Sequence, residues 1–172
     1  SFIRANRGRR FFLYFAHTYV HLPIYVQERF LRESRNGPYG GAVAAIDWAT
    51  GVILAELRRL GIDEETMVIF TSDNGSRGDF GPSNGNLRGQ KGTTWEGGQR
   101  VPFIVRWPGT VPAGRAEPGL AASIDLMPTI AALTGGSMPA NRRTDGLDLS
   151  GLLTGEQTES PRQSFFYYHY NA

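Results

Sequence analysis

The 172-residue chain contains no cysteine, which removes disulfides, thiolate metal ligands and cysteine nucleophiles from its chemistry. Excess charge of one sign is scarce as well, since 18 Lys and Arg face 16 Asp and Glu for a formal charge of +2. So small a surplus of scattered basic residues does not build the electropositive face that nucleic acid requires. Arg4, Arg7, Arg9 and Arg10 form the only cluster, which reads as a solvated helix end. No apolar stretch approaches the ~20 residues of a bilayer span, so no membrane span is expected. The run Phe11 to Ala16 is too short for the core of a signal peptide, and no small-residue cleavage site follows it. Internal repeats and low-complexity tracts are absent too. What remains is the composition of a folded domain long enough to bury one good core.

The chain is organised around Thr66-Met67-Val68-Ile69-Phe70-Thr71-Ser72-Asp73-Asn74-Gly75, an apolar run that stops at a carboxylate, an amide and a glycine. A short run rich in β-branched and aromatic residues suits a strand covered on both faces, and in parallel sheets chemistry collects at the carboxyl ends of strands. Asp73 offers an anionic oxygen and Asn74 a neutral one, the donors that Ca²⁺ or Mg²⁺ prefers, while Gly75 lets the backbone turn. The alternative is a hairpin turn at Asn74-Gly75. It requires a second strand immediately afterwards, and Ser76 to Asn86 is too rich in glycine and polar residues to supply one.

Elsewhere, Ser1 to Asn6 reads as the last turns of a helix, and Phe11 to Ala16 as a second buried strand that opens into the loop His17-Thr18-Tyr19-Val20-His21-Leu22-Pro23. Tyr25 to Arg35 carries mixed charge and leads to the turn signal Asn36-Gly37-Pro38. A helix with Val43, Ile46, Ile53, Leu54, Leu57 and Leu60 on its apolar side follows, ending at Gly61, with Asp47 on or near that side. Asp63-Glu64-Glu65 is a solvated connector. The stretch Ser76 to Gln99 exceeds ordinary loop length, which points to function or disorder. Val101 to Val105 forms a third strand, Asp125 caps a helix running through Leu133 to Gly135-Gly136, and Ser150 caps a brief helix before Gly155. Phe165 onward starts another strand, and His169 within it reads as a surface residue. Helices alternating with continuously apolar strands indicate an α/β sheet with parallel strands.

Lys91 lies between Gly89-Gln90 and Gly92-Thr93-Thr94, where an ammonium and backbone N–H groups can meet an anion together. The phosphate-binding P-loop pattern fails here, because Gln90 precedes the lysine and Gly92 follows it. Read from the loop alone, an exposed surface lysine is the favoured alternative.

Phe70-Thr71-Ser72-Asp73-Asn74-Gly75, Gly89-Gln90-Lys91-Gly92-Thr93-Thr94-Trp95-Glu96-Gly97-Gly98, Arg100-Val101-Pro102-Phe103, Trp107-Pro108-Gly109 and Ile124-Asp125-Leu126-Met127-Pro128-Thr129 together resemble the formylglycine-dependent sulfatases of the alkaline phosphatase superfamily. The resemblance covers most of the chain and corresponds to the middle-to-late portion of those proteins. It implies an alkaline-phosphatase-like fold, a mostly parallel sheet flanked by helices and truncated at both ends. Residues 1–164 would then belong to the catalytic α/β domain, and 165–172 would start a strand leading into a C-terminal region. Asp73 and Asn74 match two of the four metal ligands, with calcium favoured over magnesium. Lys91 matches the lysine that binds the sulfate and its charge, and His21 the histidine that binds sulfate and protonates the leaving group, which leaves His17 a structural role. The family's nucleophile is a formylglycine made from Cys/Ser-x-Pro-x-Arg. That motif does not occur here; at Pro161-Arg162 the residue two before the proline is Glu159 and the arginine comes one position early.

The resemblance therefore implies a fragment of a sulfuric ester hydrolase, acting on a sulfate ester in the whole protein and inactive alone. A phosphoric or phosphonic ester hydrolase of the same superfamily and a noncatalytic binding relic are the alternatives. The resemblance also implies a periplasmic, secreted or lysosomal setting. It leaves substrate identity and oligomeric state open.

Overall fold

The computed structural model describes residues 1–78 and 84–167. These fall into two compact units, one of Ser1–Thr66 with Phe70–Phe103 and one of Met67–Ile69 with Ile104–Ala172.

The first unit is mainly helical. Helix α1, Phe2–Asn6, buries Ile3 and Asn6, and Asn6 holds its place by donating to the Phe2 carbonyl at 2.7 Å and accepting from Arg9 Nε at 2.7 Å. Arg4 reaches back to pair with Glu56. Helix α2, Glu28–Glu33, was hidden in the sequence by its mixed charge and buries a single side chain, Phe30. It packs on α3, Gly37–Arg59, whose buried residues are Gly41, Ala42, Ala45 and Leu57. A Cβ at Gly41 would stand 3.2 Å from the Phe30 carbonyl oxygen and 3.3 Å from the Leu31 backbone, so the small residue sets the approach of the helices. Across the join, the Arg29 guanidinium lies 4.3 Å from the centroids of both Phe30 and Trp48, a favourable placement over the negative ring faces.

The Asn36-Gly37-Pro38 signal starts this helix instead of making a separate turn, since Pro38 occupies the first turn, where its missing N–H is not needed. The predicted end at Gly61 is present. Gly61 has φ +70, its N–H bonds Arg58 O at 3.0 Å and that of Ile62 bonds Leu57 O at 3.1 Å, the double closure of a Schellman cap. The apolar side agrees with the expected one only in part. Leu57 is buried as expected, but Val43 is exposed, Ile46, Ile53, Leu54 and Leu60 are half-buried, and Asp47 faces solvent, because the small Gly41, Ala42 and Ala45 take the buried positions near the helix start. By length and composition α3 is long and apolar enough to cross a membrane, which corrects the expectation that no stretch reaches that length. It packs on α2, and near its end Glu56 pairs with Arg4 and Arg59.

The organising strand is β1, Val68–Thr71, shorter than the apolar run and half-buried for most of its length. It pairs with β2, Phe103–Arg106, in a two-stranded sheet. The expected strand at Phe11 to Ala16 does not form. The segment forms neither helix nor strand and leaves Phe12 71% and Tyr14 81% exposed. An apolar run becomes a strand only when a neighbour takes its backbone hydrogen bonds, and no described residue does. Residues 165–167 likewise form no strand, and the rest of that expected element, with His169, lies outside the described residues.

The second unit contains a 3₁₀ turn, Ser123–Asp125, running into α5, Leu126–Leu133, and then α6, Ser150–Thr154. Asp125 precedes α5 as expected, yet its carboxylate makes no capping bond there. It is fully buried and accepts instead from Ala122 N at 2.9 Å, Leu147 N at 2.8 Å, and Arg162 Nε and Nη2 at 2.7 and 2.5 Å. Burial pushes its pKa up, but the guanidinium and the two N–H groups outweigh that and hold it below the ordinary 3.8. Arg162, which matters in the sequence only as a failed motif, thus closes the unit's core. Nearby Thr129 Oγ1 donates to Asp125 O at 2.6 Å and accepts from Leu149 N at 2.9 Å. Ser150 is the first residue of α6 and not its cap. The carboxylate of Asp148 takes the Ser150 N–H at 2.8 Å.

Candidate functional site

Downstream of β1 the chain enters a segment that the first unit holds by backbone contacts. The Gly75 N–H donates to Gly98 O at 2.9 Å, Lys91 N–H to Ser76 O at 2.9 Å, and Gly97 N–H to Arg88 O at 2.7 Å. Three buried glycines make these approaches possible. A Cβ on Gly75 would overlap the Gly97 carbonyl oxygen, one on Gly97 the Gly89 carbonyl oxygen, and one on Gly98 the Thr93 carbonyl oxygen. The residues after Asp73-Asn74 and the loop of Lys91 are therefore seated against the same short helix α4, Glu96–Gln99, which lay unrecognised within the expected long loop.

Gly89, at φ +85, turns the loop so that a Cβ there would stand 2.6 Å from both Thr93 Oγ1 and Trp95 Cβ. Thr93 Oγ1 also donates to Gln90 O at 2.8 Å. Trp95 carries the Arg88 guanidinium over its ring at 3.7 Å. Side chains from 84 and 90 complete the join. Asn84 Oδ1 accepts from Ser76 N at 3.0 Å and from Ser76 Oγ at 2.8 Å, Asn84 Nδ2 donates to Gly89 O at 3.0 Å, and Gln90 Oε1 accepts from Gly78 N at 3.1 Å.

Of the residues singled out in the sequence, Asp73, Asn74 and Lys91 are thus brought onto one hydrogen-bonded assembly. Asp73 and Lys91 are exposed and Asn74 is half-buried. Among the described residues no hydrogen bond or ion pair commits their side-chain polar atoms, so carboxylate, carboxamide and ammonium are all available to a ligand. Asp73 and Asn74 fit a hard cation in donor chemistry but supply only two of the roughly six to eight oxygens that calcium takes. Among the described residues no group of three or more His, Asp or Glu side chains converges to hold an ion.

His21 is exposed on its own loop. Its Nδ1–H donates to Leu22 O at 3.0 Å, which leaves Nε2 free to take up or give a proton. Among the described residues no hydrogen bond joins it to the Lys91 assembly. His17 is packed instead: its ring stands edge-on to Phe15 and Tyr19 at centroid distances of 5.4 and 4.7 Å, and its Nδ1 accepts from Tyr19 N at 3.3 Å. A cavity of about 410 Å³ in the second unit, lined in part by Glu117, Leu120, Ser160 and Arg162, holds a guanidinium already committed to Asp125. Sequence reasoning missed Asn84, whose only signal was a position in a glycine-rich loop.

Comparison with known proteins adds the following. The family model described as Sulfatase matches residues 1–137. Mouse steryl-sulfatase is 41% identical over 97% of this chain and 28% of its own length. Human arylsulfatase A is 45% identical over 95% of this chain and 32% of its own, and dog N-acetylgalactosamine-6-sulfatase 46% over 98% and 33%. Among solved structures, the PsFucS1 sulfatase from Pseudoalteromonas sp. superposes with a TM-score of 0.85 at 35% identity, covering 94% of this chain and 34% of that one. The chain spans about a third of the length of the curated relatives it matches.

Proposed function

Because the chain belongs to the sulfatase family, with its α/β fold of the alkaline phosphatase type, we propose that it supplies the charge-stabilising part of a sulfuric ester hydrolase. The observation that carries this reading is the hydrogen-bonded seating of the Lys91 loop on Ser76, two residues beyond Asn74. In the whole protein, residues 1–164 belong to the catalytic domain, and β1 and β2 belong to a mostly parallel sheet.

Lys91 faces the sulfate. Its ammonium places positive charge on the nonbridging oxygens as negative charge builds there in the transition state, a role that requires a donor fixed in advance by its loop. His21 keeps Nδ1 on the Leu22 carbonyl and works through Nε2, giving a proton to the departing ester oxygen. Asp73 and Asn74 would hold two positions of a cation, calcium in preference to magnesium, which would supply Lewis-acid charge withdrawal when bound. The nucleophile, expected to be formylglycine, is not encoded in these residues, since no Cys/Ser-x-Pro-x-Arg motif occurs in them. The chain alone is therefore inactive. The alcohol released is set by groups outside this assembly.

The test is hydrolysis of an aryl sulfate and of an aryl phosphodiester by the protein of the complete reading frame. The expected result is preference for the sulfate ester and a loss of about 10²–10³-fold in kcat/KM for Lys91→Ala. Preference for the phosphodiester would transfer the site to phosphoryl chemistry, and unchanged activity in Lys91→Ala would remove the lysine from its role.

A further inference from the structure

We propose that Asn84 is a positioning residue for Lys91 in the proposed reaction, an inference that rests on the reading of Lys91 given above. Its carboxamide bonds both to the segment after Asp73-Asn74 and to the loop that carries Lys91. Oδ1 takes both the amide and the hydroxyl of Ser76, at 3.0 and 2.8 Å, and Nδ2 gives a hydrogen bond to the carbonyl of Gly89, two residues before the lysine, at 3.0 Å. Ser76 in turn accepts the Lys91 N–H through its carbonyl at 2.9 Å. The result is a closed circuit, Asn84 to Ser76 to Lys91, back along the chain to Gly89, and to Asn84 again.

The geometry gives each atom of the amide its own task. An oxygen that accepts twice and a nitrogen that donates are found together in no other side chain of this size except by lengthening, and a carboxylate in the same place has no proton for Gly89 O. A bond to a local turn would not produce this pattern, because the partners lie eight residues before Asn84 and five after it. The loop is also pinned on either side of the lysine, by Gln90 Oε1 on the Gly78 N–H at 3.1 Å and by the Thr93 N–H and Oγ1 on Gln90 O at 3.0 and 2.8 Å. What Asn84 adds is the tie between Ser76, which takes the Lys91 N–H, and Gly89, where the loop turns at φ +85. Loss of the Asn84 amide would therefore loosen Ser76 and Gly89 from each other and shift the lysine's backbone between them, leaving Asp73, Asn74 and Lys91 chemically intact.

The experiment is a double-mutant cycle in the protein of the complete reading frame, with kcat and KM measured for an aryl sulfate in Asn84→Ala, Lys91→Ala and the combined variant. Asn84→Ala is expected to lower activity about 10–100-fold, as loss of a supporting hydrogen-bond partner does, with the loss mainly in kcat. In the Lys91→Ala background the same substitution is expected to change activity by no more than about 2-fold, because the group it positions is gone. An equal loss in both backgrounds would reduce Asn84 to a general structural role and overturn the proposal, as would wild-type kcat in Asn84→Ala. Asn84→Asp keeps both Ser76 bonds and loses only the donation to Gly89. It guards against a variant that does not fold: a wild-type melting temperature with lowered kcat supports the proposal, and wild-type kcat overturns it. Full activity in Lys91→Ala would instead defeat the functional reading on which the inference rests.

Discussion

The carboxylate of Asp125 has exchanged water for four hydrogen bonds, two from backbone amides and two from the Arg162 guanidinium. Such a pair is costly to break from one side, since the remaining charge stays buried without its partner. Arg162→Ala is expected to cost about 3–5 kcal/mol at neutral pH, read by urea unfolding; a change below about 1 kcal/mol would mean that solvent reaches the carboxylate, as at an exposed pair. The pH dependence has a definite sign. A carboxyl held below its ordinary 3.8 in the folded state contributes stability that is complete above that value and is lost as pH falls through the lower folded value. Asp125 was legible as a residue at the start of α5, but its partner lies 37 positions away, and no local pattern announces such a pair. Asp73 and Asn74 drew notice through their oxygen donors at the end of an apolar run, whereas Lys91 was singled out only through the resemblance to the sulfatases, since its loop alone favours an exposed surface lysine.

At the scale of elements, glycine marks two different physical demands. Gly61 ends α3 in a left-handed conformation with open space around it, whereas Gly97 sits where any Cβ would strike the Gly89 and Arg88 carbonyls. Gly61→Ala is expected to lower stability by about 1–2 kcal/mol through the left-handed backbone alone, with kcat of the complete protein unchanged. Gly97→Ala is expected to lower kcat as well, since α4 must move off the Lys91 loop. Paired melting and turnover measurements separate the two, and equal kcat in both variants would show that the seating of the loop does not matter. The cap at Gly61 could be read from a glycine following a periodic apolar stretch. The seam could not, because Gly75, Gly97 and Gly98 meet only once the chain has folded. Helix α2 escaped for a related reason: it buries Phe30 alone, too little apolar surface to print a helical period on the sequence.

For the whole molecule, the expected strand at Phe11 to Ala16 was read correctly as apolar and wrongly as paired, because no described residue takes its backbone hydrogen bonds. Phe12 and Tyr14 in the first unit are 71 and 81% exposed and Ile104 and Phe166 in the second 59 and 75%, large apolar side chains left open to solvent. Residues 1–172 produced alone are expected to bind the dye ANS strongly and to leave aryl sulfates intact. Weak dye binding together with a cooperative unfolding transition would show that the unit is self-sufficient. An irregular segment bearing Phe11, Phe12, Leu13, Tyr14 and Phe15 behind Arg9-Arg10 also has a cellular meaning. Exposed apolar side chains of this kind are what chaperones and proteases bind, so the lifetime of the polypeptide depends on how long they stay uncovered.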